Sequence, residues 1–237
     1  AALCPAQGRE QAHMRAPTGF IALVAALSGC GTQAPQATAR VLPPGLEVCT
    51  GHASDDRLLG YCLAANAVKL QHLSVETVCG QVTPHARECR HNWATARARW
   101  SPKTSLDALL EVCRGDSDCA FDVLDTRNPP DLIATVRYCE EFVPDHIKDC
   151  VGHAVARWAD RVDSAEEVAT IAAAELGFNE MVGFHLATAV VCRDIAEAAC
   201  PATPQARSRA CEARVRQLRG QPSLCPEIPE HVRRQRR

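Results

Sequence analysis

Fourteen cysteines and nine histidines are the residues of this 237-residue chain best suited to chemistry. Cys49-Thr50-Gly51-His52 and Cys150-Val151-Gly152-His153 share a Cys-x-Gly-His pattern, and Cys89-Arg90-His91 is close to it. Zinc and copper both accept thiolate and imidazole ligands. Zinc motifs, however, usually set two cysteines about two to four residues apart, and the chain has no Cys-x-x-Cys. The same absence removes the haem-attachment motif and the usual thiol-exchange site. These histidines are therefore expected on helix faces beside disulfides, packed against tryptophan, with no metal and no cofactor.

No catalytic residue is assigned. The chain contains no Gly-x-Ser-x-Gly, His-Glu-x-x-His or Ser-x-x-Lys, and no phosphate-cradling glycine loop. Asp116, Asp118 and Asp122 fail the calcium-loop pattern. That loop needs glycine at its sixth position and glutamate at its twelfth, and Phe121 and Arg127 stand there. Cys113-Arg114-Gly115-Asp116-Ser117-Asp118-Cys119 holds an Arg-Gly-Asp string that resembles the integrin-binding tripeptide in a ring. The simpler expectation is a helix–helix turn, with Gly115 ending one helix and Asp116 capping the next.

The compartment decides what so many thiols do. Met14-Arg15 precedes a short apolar run, Gly19 to Leu27, and Leu27-Ser28-Gly29-Cys30 closes it. The run is shorter than the ~20 apolar residues that span a bilayer, but it suits the middle of a secretory signal. Residues 14–30 resemble the signal and lipobox of bacterial lipoproteins. The resemblance implies that the signal is cut before Cys30 and that Cys30 is acylated. Gly31 in place of aspartate then implies the outer membrane. The expected location is the cell envelope, on the periplasmic face of that membrane or at the cell surface.

Residues 1–13 read as an upstream extension and 14–29 as the signal peptide. Residues 30–46, rich in Ala, Pro, Gln and Thr, read as a flexible tether. Residues 47–225 read as one cysteine-rich domain, and 226–237 as a basic disordered tail. Without Cys4 and Cys30, twelve cysteines remain for six disulfides: Cys49, Cys62, Cys79, Cys89, Cys113, Cys119, Cys139, Cys150, Cys192, Cys200, Cys211 and Cys225.

The elements that place these cysteines are expected to be helices. Aromatics are only 4 % of residues, so the core is built from Ala, Val and Leu, which suits closely packed helices. Ser54 is expected to cap a helix with Leu58, Leu59, Cys62, Leu63, Ala67 and Leu70 on one face. Pro84, Ser105, Asp131, Pro144 and Pro204 are expected to open others. Ser164 and Glu167 form a capping-box pattern, with Gly177 ending that helix. A long helix is expected from Asn179 towards Cys200. No stretch alternates like a strand beside a hairpin turn.

Three segments look alike: Cys79 to Cys89 around Pro84, Cys139 to Cys150 around Pro144, and Cys200 to Cys211 around Pro204. They predict an all-α fold of disulfide-stapled helical hairpins with a roughly 60-residue internal repeat. A staple across each hairpin mouth is one pairing, and bridges between neighbouring repeats are the other. The first two segments share Ala-Arg-Trp downstream, making Arg99, Trp100, Arg157 and Trp158 candidates for a contact surface, or arginines snorkelling beside buried tryptophans.

A net charge of −2 sets up no global field towards nucleic acid. The expected function is a non-catalytic binding or scaffolding lipoprotein of the envelope. Its partners are the bilayer, through acylated Cys30, and an envelope protein. The alternative is an unrecognised enzyme or a metal- or redox-binding periplasmic protein, which would gather His91, His153 and acids of shifted pKa in one pocket.

Overall fold

Six helix starts in the computed structural model follow one local rule. Asp55, Ser74, Ser105, Asp116, Asp131 and Ser164 each sit in extended backbone. Each accepts a hydrogen bond from a backbone N–H in the first turn that follows. The structure describes residues 40–70, 72–195 and 199–226. Cys4, Cys30, segments 1–13 and 14–29, the first part of the tether and the tail beyond Pro226 lie outside the described residues.

Ten α-helices occur among the described residues, with no strand. They are α1 (Asp56–Ala67), α2 (Val75–Cys79), α3 (Ala86–Trp100), α4 (Leu106–Val112), α5 (Ser117–Arg127), α6 (Leu132–Phe142), α7 (Ile147–Arg161), α8 (Ala165–Ala173), α9 (Asn179–Cys192) and α10 (Gln205–Gly220). Short 3-10 turns lie at Glu47–His52, Gly80–His85, Pro144–His146 and Pro222–Leu224. The fold is all-α and stapled, as the cysteine spacing predicts.

All twelve cysteines are paired. The bridges are Cys49–Cys62, Cys79–Cys89, Cys113–Cys119, Cys139–Cys150, Cys192–Cys225 and Cys200–Cys211, with Cα atoms 5.3 to 5.8 Å apart. Five join neighbouring elements, each closing one hairpin at its own mouth. The 60-residue spacing resolves into two hairpins. The second cysteine of each local pair falls at 62, 89, 119, 150 and 211, and Met181 stands at the missing step. The α8–α9 hairpin therefore has no staple of its own, and the Met181 thioether packs towards Gly152 of α7.

A second device ties hairpin to hairpin. Helix ends leave carbonyls without partners, and cationic donors satisfy them well. Arg97 of α3 donates to the Ala67 carbonyl at the end of α1 and to the Leu70 carbonyl just beyond it. Arg127 of α5 donates to Ser101, Pro102 and Thr104, beyond α3. Arg161 of α7 donates to Asn128, Pro129 and Pro130, beyond α5. Arg193, capping α9, donates to Val162, beyond α7. The carboxyl ends of successive long helices thus lie side by side, and α1, α3, α5, α7 and α9 run in the same direction. Among the described residues, the main contacts of each hairpin are with its neighbours along the chain, as in helical-repeat proteins.

The core is continuous from Leu46 to Cys211 and mostly Leu, Val, Ala and Cys. The closest backbone approach brings α9 and α10 together. A Cβ on Gly183 would stand 2.2 Å from the Arg207 carbonyl oxygen, so only glycine fits there.

Several sequence expectations are corrected. Asp55, not Ser54, caps α1. Leu58 is 49 % exposed, because it lies off the face buried by Leu59, Leu63 and Ala67. Pro84 sits inside a 3-10 turn, and α3 begins two residues later. α8 stops at Ala173, where Arg207 takes over its final carbonyls, well before Gly177. α9 stops at Cys192, and Asp194 follows in the left-handed region. The last residues of the tether belong to the domain: Arg40 pairs with Asp56, and Pro43 and Leu46 are buried.

Candidate contact surface

α5 lies between α3 and α7, and it and its cap carry four aspartates, the cap Asp116 and then Asp118, Asp122 and Asp125. Helical spacing sends them alternately to the two neighbours. Towards α3, Arg87 forks onto Asp116 at 2.8 and 3.1 Å, and His91 meets Asp122 at 2.7 Å. Towards α7, His146 meets Asp118 at 3.1 Å and His153 meets Asp125 at 3.0 Å. Arg157 also pairs with Asp125 and donates to its carbonyl. The guanidinium of Arg87 holds the Asp116 carboxyl below the usual carboxylate range. Burial pushes the Asp125 carboxyl up, but the hydrogen bonds from His153 and Arg157 outweigh it, and the net direction is down.

Both shifts keep the carboxylates ionised. A general acid needs the opposite. Phe121 meets the His153 ring edge-on at 5.2 Å and also lines the open groove beside His91. The cavity beside His153, Asp125 and Arg157 measures about 20 Å³, room for about one water. Two further histidines fall elsewhere: His52 ends the first 3-10 turn, and burial lowers the pKa of His185 on α9. Among the described residues, no group of three or more His, Cys, Asp or Glu is placed to hold a metal ion.

The Arg-Gly-Asp string is occupied internally. Gly115 turns with φ +80°, Asp116 accepts from the Cys119 N–H while holding Arg87, and Arg114 is chelated by Glu111. Asp116 is thus committed to the helix start and the α3–α5 joint.

The two Arg-Trp pairs are not equivalent. Trp100 is 70 % exposed at the last residue of α3, beside exposed Arg99. Trp158 is fully buried in α7 and donates its indole N–H to Glu167 at 2.8 Å, so it offers no contact surface. That bond also takes the Glu167 carboxylate, so Ser164 caps α8 alone. Register explains the difference. Counted from the cysteine that opens each helix, Trp158 stands eight residues on and Trp100 eleven. Eight beyond Cys89 is Arg97, buried against the Trp93 ring at 4.9 Å.

α10 presents a different surface. Arg209, Arg216 and Arg219 are exposed along it, and Arg214 stacks on Phe184 of α9 at 4.3 Å. An open groove between the helices is lined by Glu180, Phe184, Ala210, Ala213 and Gln217. The sequence reading did not single out this face; five arginines against one glutamate in α10 were its only sign.

These features define a class: an all-α protein of disulfide-stapled helical hairpins. No protein-family model, curated protein or solved structure matches the chain. Among the described residues, no helix is long and apolar enough to cross a membrane.

Proposed function

We propose that this chain is an exported, lipid-anchored protein of the cell envelope that works by binding or scaffolding, not by catalysis. The observation that carries the proposal is the complete pairing of twelve cysteines, Cys49 to Cys225, in six bonds. Such bonds persist in oxidising compartments and are rare in a reducing cytosol. The lipobox-like Leu27-Ser28-Gly29-Cys30 supplies a route there and an anchor. Helical-repeat arrays characteristically present long surfaces to partners. Arg99 and exposed Trp100 form one such contact candidate here. The side chains best suited to catalysis are engaged with one another across the α3–α5 and α5–α7 joints, His153 beside a cavity of about 20 Å³ and His91 beside an open groove of about 520 Å³.

Metabolic labelling with a palmitate analogue, followed by cell fractionation, tests this reading. The wild-type chain is expected to be labelled and to sediment with membranes. The Cys30→Ser chain is expected to lose the label and leave the membrane fraction, except for whatever contact its own surface makes. Unlabelled wild type in the cytosol would refute the proposal.

A further inference from the structure

Charge is unevenly divided along this chain. Residues 201–237 hold nine arginines against three glutamates, while the whole chain nets −2, so the first 200 residues net −8. Part of the basic excess is fixed on α10. Arg207 is buried and satisfies carbonyls. Arg209, Arg216 and Arg219 point to solvent, and none has an ion-pair partner among the described residues. On a helical wheel the three fall within about a quarter-turn, along roughly 15 Å of axis. The carboxylates facing them are Glu212 on the same helix and Glu180 across the groove. Phe184, in the groove beside Arg209, and Leu224, in the turn after α10, are each 40 % exposed.

We infer that this outward face of α10 docks on an anionic lipid bilayer. The inference deepens the reading of a membrane-attached chain and rests on it. Exposed arginines on a helix with exposed aromatic and aliphatic groups near it match a headgroup layer, where phosphates meet the upper acyl chains. Duplex DNA offers the phosphates without an apolar layer, and a soluble acidic protein would not call for Leu224. The rest of the chain, net negative, is repelled by the same surface, which orients the molecule with α10 down.

Vesicle co-sedimentation tests this on the full chain carrying Cys30→Ser, so that no acyl group contributes. The vesicles are phosphatidylcholine alone, or phosphatidylcholine and phosphatidylglycerol in equal parts. Binding is expected on the anionic vesicles, weak on the neutral ones, and lost as salt rises. Arg209→Gln/Arg216→Gln/Arg219→Gln is expected to weaken anionic binding by about a hundredfold. The corresponding triple lysine variant is expected to keep most of it. Circular dichroism should show both variants folded, because the three side chains are exposed. Equal binding to both vesicles, no effect of the glutamine triple, or binding to duplex DNA without vesicle binding would each overturn the inference. Vesicle binding by a protein found unacylated in the cytosol would instead refute the envelope reading and leave the docking surface standing.

Discussion

Replacing Arg207 with methionine should destabilise the carboxyl end of the array more than its volume change suggests. Arg207 is fully buried; burial lowers its pKa, and one Nη1 donates to Ile171, Ala172 and Ala174 at 2.7 to 3.2 Å. Its Nε also donates to Asn179. Methionine fills similar space but donates nothing. Leaving a buried acceptor unpaired costs about 1–3 kcal/mol. The Ile171 carbonyl still accepts from the Ala174 N–H and the Ala174 carbonyl from the Leu176 N–H, so the buried Ala172 carbonyl is the one left unpaired. Relief from burying a cation offsets part of the loss. The net expectation is about 1–3 kcal/mol, or roughly 2–12 °C in Tm for a domain of this size. Thermal unfolding by circular dichroism measures the total, and hydrogen exchange locates it. The amides of α8 should lose protection first, because α8 has no disulfide of its own. Arg207→Lys should fall between, since one ammonium cannot fork over three carbonyls. A methionine variant as stable as wild type, with α8 still protected, would refute the reasoning.

Three other outcomes follow from the geometry. Gly183→Ala should force α10 away from α9 and cost at least about 2 kcal/mol, whereas Gly80→Ala, with open space around it and helical backbone, should be neutral or slightly stabilising; denaturant titration compares the two. Replacing Cys192 and Cys225 by alanine should cost about 3.5–4 kcal/mol and replacing Cys113 and Cys119 about 2–2.5, because the bridges span 33 and 6 residues; equal losses in urea would contradict a loop-entropy origin. Asp116 and Asp125 have lowered folded-state pKa values, so their contribution is present above the ordinary carboxylate value and lost as pH falls through the folded value. Stability should therefore decline below about pH 4, and Arg87→Met should start lower at neutral pH and lose less on acidification, as Tm against pH will show.

Much of the architecture is legible because its marks are local. Caps at Ser105, Asp116, Asp131 and Ser164 and hairpin staples across Pro84 and Pro144 need only nearby residues. The true repeat, near 30 residues, was harder to read. The Cys113–Cys119 ring is only six residues wide, and Met181 replaces the cysteine that would have marked the fifth hairpin. The shared Ala-Arg-Trp string misled for a related reason: identical letters sit in different helical phases, so one tryptophan is exposed and the other buried. The arginine clamps were invisible, since their acceptors are backbone carbonyls about 30 residues away and carry no side-chain signature. In sequence, Asp116, Asp118 and Asp122 offer only a failed calcium loop and a helix cap, and Asp125 no sign at all, because the partners Arg87, His91, His146 and His153 lie one helix away on either side.

The most direct test of the account is non-reducing peptide mapping by mass spectrometry on protein extracted from cell membranes, with free thiols alkylated at lysis. The account predicts six bridges, Cys49–Cys62, Cys79–Cys89, Cys113–Cys119, Cys139–Cys150, Cys192–Cys225 and Cys200–Cys211, with none of the twelve cysteines alkylated. Alkylated thiols throughout, or bridges joining separate hairpins, would contradict it.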